Sequence, residues 1–285
     1  VDDTHDTRSG RTVSRFAHMS TGRPVDARRV ALDHPISREW AFAGSTGAGV
    51  RVCLIDSGID GSHPDVGPVV GGLWTVELPE LPELPDSDRE PRVVADDRGD
   101  VAGHGTACAS IIRRLAPAAE LASVRILGPR LGGAGAALVA ALRWAIDQRF
   151  DLVNLSLSTR RHTFKEELHD LVDRAAFAGI VVVASAHNSP IDSFPWRFAS
   201  VISIGSHAVA DPWHLEANAQ PPVDFFAPGV DIDVAGLGGG RVRVSGNSFA
   251  TPHVTGVLAV LRAKHPHLGP VQLKHVLAAI SNNLS

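Results

Sequence analysis

Val50-Arg51-Val52-Cys53-Leu54-Ile55-Asp56-Ser57-Gly58 is an apolar run that ends at a carboxylate and a glycine. A short run without polar alternation is the pattern of a strand covered on both faces, and such strands belong to parallel sheets. Working outward, residues 121–127, 152–157, 180–184 and 200–204 repeat it. Shorter strands are expected at 223–226, 230–234 and 242–244, with Gly238-Gly239-Gly240 as a hairpin turn between the last two. Helical spacing separates the longer runs, at 104–115, where Ala107, Ile111 and Leu115 share a face, and at 136–149 and 165–178. A short helix at 36–42 precedes them and stops at Gly44. Two helices, one after Ser248 and one at 270–280, finish the chain. Strands alternating with helices of this length predict a three-layer α/β fold, with a mainly parallel central sheet and helices on both faces.

The totals fit that picture. A chain of 285 residues is long enough for one large α/β domain or two small ones, and 44% apolar with 20% charged residues is ordinary for an enzyme. A net charge of −4 gives no general attraction to nucleic acid. No apolar run reaches membrane-spanning length, so no membrane partner is expected. Two cysteines, Cys53 and Cys108, are too few for a disulfide framework, which favours a cytoplasmic setting over a secreted one. Residues 1–33 are polar and rich in arginine and read as an N-terminal extension, with the folded domain at 34–285. Residues 74–99 are rich in proline and acid and read as a stiff, solvated surface loop.

Chemistry in parallel sheets gathers at the carboxyl ends of the strands. Asp56 sits at one such end and Asn188 just beyond another, while His104 opens one helix and Ser248 opens a second. The stretch Val244-Ser245-Gly246-Asn247-Ser248-Phe249-Ala250-Thr251-Pro252 sets Ser248 at a helix N-terminus, beside unpaired N–H groups and the positive end of the dipole. Pro252 is expected in the first turn, where a missing N–H costs little, and Gly246 marks a close backbone approach. Each part also has a plain structural reading: a Ser-rich cap, a strand-end cap, a turn asparagine, one histidine among 14. Together they suit nucleophilic acyl transfer. His104 would take the serine proton, Asp56 would hold the ring in one tautomer, and Asn188 would donate to the oxyanion.

The local sequences around these residues resemble those of the subtilisin-like serine proteases, the subtilases. Val52-Cys53-Leu54-Ile55-Asp56-Ser57-Gly58-Ile59-Asp60, with His63-Pro64-Asp65, resembles their aspartate motif. Gly103-His104-Gly105-Thr106 resembles the histidine motif, Ser245 to Val254 the serine motif, and Ala184 to Asn188 the oxyanion segment. The resemblance runs from about Ile36 to the C-terminus. It implies a serine endopeptidase working through an acyl-enzyme, with Asp56, His104 and Ser248 as its triad. The oxyanion hole would be Asn188 and the Ser248 N–H. It also implies a peptide or protein substrate bound in extended form. Leu131-Gly132-Gly133 and Ser156-Leu157-Ser158 match the segments that flank the substrate, and Ser193 matches the floor of the primary pocket. Phe194-Pro195 matches a place where the family has a cis peptide. Two rivals use the same residues: a catalytically impaired module that only binds peptides, and an esterase or peptide ligase.

The chain departs from the family pattern at several positions. Asn247 replaces a usual threonine, and its carboxamide is expected to assist the oxyanion. His187 and Ser158 replace usual glycines, so His187 is expected to be strained and Ser158 to make the pocket narrower or more polar. Asp192 and the acidic loop are expected to favour a basic residue on the acyl side of the cut. Many subtilases hold calcium in a loop within the helix after the catalytic histidine. Here Ile111-Ile112-Arg113-Arg114 runs almost directly into Leu115-Ala116-Pro117-Ala118, so that loop is missing, and Asp65 matches a calcium ligand without its partners. No metal or other cofactor is expected. Cys108, one helical turn after His104, is expected beneath the ring, where a thiol reagent reaching it would inhibit. Residues 1–33 are shorter than the folding prodomain of secreted subtilases, which implies removal of that domain or folding without it.

Overall fold

In the computed structural model, residues 35–78 and 91–284 are described, and they form the unit considered below. The extension expected at 1–33 lies outside the described residues. The first element, α1 (Arg38–Phe42), starts where Ser37 caps it by accepting the Trp40 N–H. β1 (Arg51–Asp56) is the apolar run that opened the sequence reading, and its residues after Arg51 are all buried. It pairs in parallel with β4 (Glu120–Arg125) on one side and β5 (Leu152–Leu155) on the other. β6 (Val181–Ser185) and β7 (Val201–His207) continue the parallel order, and β9 (Phe225–Pro228) follows. On the far side, β2 (Leu73–Glu77) runs parallel to β4. Antiparallel strands close both edges: β3 (Arg92–Ala95) beside β2, and β8 (Glu216–Ala217) beside β9. The spatial order is β3-β2-β4-β1-β5-β6-β7-β9-β8.

Two of these strands correct the sequence reading. Residues 74–99 are not loop throughout, because β2 and β3 form a hairpin at the sheet edge, with Trp74, Val76 and Val93 packed on the core. Residues 79–90, the most acidic part, lie outside the described residues. The two-residue β8 carried no apolar run and was not foreseen.

The two faces of the sheet are covered differently. Cys53 and Ile55 of β1, with Val153, Leu155, Val182 and Ala184, pack against α3 (Gly135–Asp147) and α4 (Lys165–Phe177). The alternate residues, Val52, Leu54 and Asp56, point to the other face. That face carries α2 (His104–Leu115) and α5 (Asn247–Lys264), which pack on each other. Thus the period of two that buries Leu54 also aims Asp56 at the helix that begins with His104. β10 (Ile232–Ala235) and β11 (Arg241–Val244) form a separate hairpin with the expected glycine turn, and α6 (Pro270–Ala279) ends the fold. Among the described residues no helix is long and apolar enough to cross a membrane.

Candidate active site

The N-terminus of α2 is drawn tightly against the turn after β1. A Cβ on Gly105 would lie 2.0 Å from the Gly58 carbonyl oxygen, so only glycine permits this approach. Asp100 locks the same end. Its Oδ1 accepts the Ala102 and Gly103 N–H groups and the Ser57 hydroxyl, and its Oδ2 accepts the Thr106 N–H and hydroxyl. A carboxylate here satisfies orphan donors and complements the helix dipole. The sequence reading missed Asp100, although an acid just upstream of a helix start is a recognisable signal.

His104 is thereby held against Asp56. Its Nδ1 lies 2.7 Å from Asp56 Oδ1, which also accepts the Ser57 N–H at 2.7 Å. Asp56 is fully buried, and its Oδ2 has no hydrogen-bond partner among the described residues. A carboxylate on Nδ1 fixes the proton there and leaves Nε2 as the accepting nitrogen. Burial, the largest single effect, lowers the pKa of His104, but the Asp56 charge and hydrogen bond, together with the contact to Cys108, outweigh it and raise the pKa well above the ordinary 6.5. Another histidine of the serine motif, His253, is excluded from such a role. It is buried within α5, bonded to the Phe249 carbonyl, and burial pushes its pKa down to about 4.

Ser248 is the second residue of α5. Before it, Gly246 has φ 155° and ψ 156°, a region open essentially to glycine alone. A Cβ there would lie 3.4 Å from Ser248 Oγ and 3.5 Å from Asn188 Nδ2, so these two atoms flank one small space. Asn188 is oriented by its other end, since Oδ1 accepts the Asn247 N–H at 2.9 Å. With Oδ1 spent on the helix, Nδ2 is the atom turned to Ser248. His104, Ser248 and Asn188 line one cleft of about 470 Å³.

Pro252 is inside α5 rather than in its first turn. It cannot donate to the carbonyl of Ser248, four residues earlier. That carbonyl instead accepts the Ser156 hydroxyl at 2.7 Å and faces the Cys108 thiol at 3.6 Å. The proline thus frees the Ser248 carbonyl to be tied to the residue just after β5. Ser156, expected to bind substrate, spends its side chain on this link. Cys108 lies beneath the ring as expected, 4.0 Å from His104 Nδ1, but it is fully buried and burial raises its pKa. The route for a thiol reagent is therefore closed in this conformation.

Other expectations are also revised. Asn247 does not aim at the oxyanion space. Its Nδ2 donates to the Ala186 carbonyl and its Oδ1 accepts the Ser206 hydroxyl, which straps α5 to the end of β6. His187 is not among the residues with positive φ, so no strain arises there. Leu131, Gly133, Leu157 and Ser158 line the cleft, while Gly132 does not. Ser193 is fully buried behind Ser158 and does not reach the cleft surface. Asp192 is paired with Arg197 and His162 and is not free to receive a basic substrate. The Phe194–Pro195 peptide is cis, as expected.

The residues where the subtilase calcium loop would attach do not fit a metal ion. The Arg113 guanidinium fills the space instead, donating to the carbonyls of Val66 (2.9 Å), Pro117 and Ala119 (both 2.8 Å), with Pro68 at 3.4 Å. Asp65 is ion-paired to Arg241. Carbonyl oxygens gathered around a cation suit calcium, and here the cation is covalently part of the chain. Replacing Arg113 by alanine is expected to cost about 3 kcal/mol, because several carbonyls lose a charged donor at once. Urea denaturation checks this: a midpoint unchanged from wild type would show that the guanidinium contributes little.

Comparison with known proteins gives the fold and cleft a family. The model of the subtilase family matches residues 47–284. The chain belongs to the subtilase family. Subtilisin of Bacillus pumilus is 32% identical over 85% of this chain and 86% of its own length. Subtilisin E of Bacillus subtilis is 32% identical over the same share of this chain, which spans 62% of that longer protein. Among solved structures, a cold-adapted subtilisin-like serine proteinase superposes with a TM-score of 0.66, at 28% identity over 83% of this chain and 84% of the other. The chain is accordingly a subtilisin-like serine endopeptidase, a hydrolase.

Proposed function

We propose that Ser248 attacks the scissile carbonyl of an extended peptide while His104 Nε2 takes its proton and Asp56 stabilises the imidazolium that forms. The observation that carries this reading is the 2.7 Å contact between His104 Nδ1 and Asp56 Oδ1, with His104, Ser248 and Asn188 on one cleft. Ser248 acylates, and the peptide C–N bond breaks as His104 returns the proton to the leaving amine. Water then enters, loses a proton to the same ring, and releases the acid. The oxyanion formed in each half is met by Asn188 Nδ2 and by the Ser248 N–H. That N–H precedes the first α5 N–H to find a backbone carbonyl, Phe249 to Gly246. A peptide-library cleavage profile tests the reading directly, and a folded protein that cuts no peptide would refute it.

The oxyanion role of Asn188 has its own test. Asn188→Ala is expected to lower kcat by about 100- to 1000-fold with little change in KM; this magnitude is the one established for subtilisin's own asparagine, not one drawn from the present geometry. Steady-state kinetics on one peptide substrate decides it, and an equal loss in binding would move Asn188 to a substrate-holding role.

Metal independence is part of the same proposal. It rests on Arg113 filling the carbonyl cluster and on Asp65 being engaged by Arg241. Thermal unfolding with and without a calcium chelator should give the same Tm, and a fall on chelation would contradict it.

A further inference from the structure

The cleft carries positive charge in a chain whose net charge is −4. Arg160 and Arg161 line it directly after Leu157, Ser158 and Thr159, and among the described residues no carboxylate lines it. Neither arginine has an ion-pair partner among the described residues. The neighbouring acid, Asp192, is held by Arg197 and His162. Lys165 adds a further cation on this side, seated over the Phe194 ring, while Glu166 of the same turn is exposed.

The wall beside them is held rigidly. Trp196 Nε1, which can only donate, gives its hydrogen to Ser193 Oγ at 2.9 Å. Ser193 Oγ also accepts the Ser158 hydroxyl at 3.1 Å, which anchors Ser158 of the cleft wall to a fully buried group. The Thr159–Phe194 bridge, with both N–H to carbonyl contacts at 2.9 Å, holds the two walls together. Two lining arginines without ion-pair partners, with no acid in the lining among the described residues, make a receptor for an anion.

We propose that this cleft selects peptides with an acidic side chain, glutamate or aspartate, on the acyl side of the cut. The carboxylate is received by Arg160 and Arg161. This rests on the catalytic reading above, which places the bond to be cut at Ser248. It reverses the preference for basic residues expected from Asp192.

Matched chromogenic peptides that differ only at that residue test it, with glutamate, glutamine, leucine and lysine compared. Glutamine has the shape of glutamate without the charge. The glutamate peptide is expected to exceed the glutamine peptide in kcat/KM by about tenfold at low salt, the size two exposed charge pairs supply. The ratio should shrink as salt rises. In the double variant Arg160→Ala, Arg161→Ala it should fall towards one. Greater turnover of leucine or lysine than of glutamate, or a ratio unmoved by the double variant, would overturn the proposal. Binding of glutamate and glutamine peptides to Ser248→Ala separates specificity from catalysis. A glutamate preference there with no turnover by wild type would sink the catalytic reading alone. Equal binding would sink the acidic preference.

Discussion

Ser248→Ala is expected to remove peptide hydrolysis almost completely, by about a millionfold in kcat; that magnitude is subtilisin's own and is not deduced from this cleft. The reason is specific to where Ser248 stands. Its hydroxyl shares one small space with Asn188 Nδ2, and its backbone is fixed from behind by Ser156 Oγ on its carbonyl. Removing one oxygen leaves that frame in place, so the variant should fold as wild type does and still bind peptide. Reaction with an organophosphonate probe is the cleanest measurement. Labelling of wild type and none of Ser248→Ala is the expected result. Labelling that survives the substitution would mean that another residue is the nucleophile.

The second large effect belongs to Asp56. Asp56→Asn is expected to lower kcat by about 10⁴-fold, because an amide that donates to Nδ1 leaves the ring in the wrong tautomer. The substitution should also move the pH profile, and the direction follows from two opposing terms. Burial alone lowers the pKa of His104, and the Asp56 carboxylate, with a smaller part from Cys108, raises it above the ordinary value. The base must be neutral to accept a proton, so wild-type kcat/KM rises with pH through that raised pKa. Without the carboxylate, burial prevails and the pKa falls. The residual activity of Asp56→Asn should therefore set in at lower pH than that of wild type. A pH–rate profile of both proteins checks this, and an acid limb that stays put or moves upward would show that Asp56 does not govern the ring.

These two variants act on residues that the sequence already displayed. The apolar run before Asp56, the glycine after it, and the helix opened by His104 are local patterns with local causes. The parallel sheet, the two covered faces and the chemistry at the strand ends follow from them. The edge hairpin of β2 and β3 did not, because acid and proline on an exposed edge look the same in sequence whether they pair or not. Pro252 was misplaced for a related reason. A proline inside a helix is tolerated only if the stranded carbonyl finds another donor, and Ser156 lies far away in the chain.

The corrections around the cleft have the same origin. Asn247 was read by its chemistry as an oxyanion donor, yet Ala186 and Ser206 claim its amide. Asp192 was read by its charge as a receptor for basic residues, yet Arg197 pairs with it and His162 sits against it. Arg160 and Arg161 stood out in neither composition nor motif. They enter the proposal only because the turn after β5 brings them to the cleft, where no acid lines it among the described residues.

By itself, then, the sequence determined the fold class, the family and which serine, histidine and aspartate are candidates for the chemistry. Periodicity and short motifs report what a residue's immediate neighbours require of it. The tertiary structure decided which polar groups are already spent on partners and which remain available. Arg113 is spent on a cluster of carbonyls, Asp192 on Arg197, and Ser193 on Trp196 and Ser158. That distinction depends on contacts between distant segments, because a hydrogen-bonding group can be claimed by any partner the fold brings within about 3 Å.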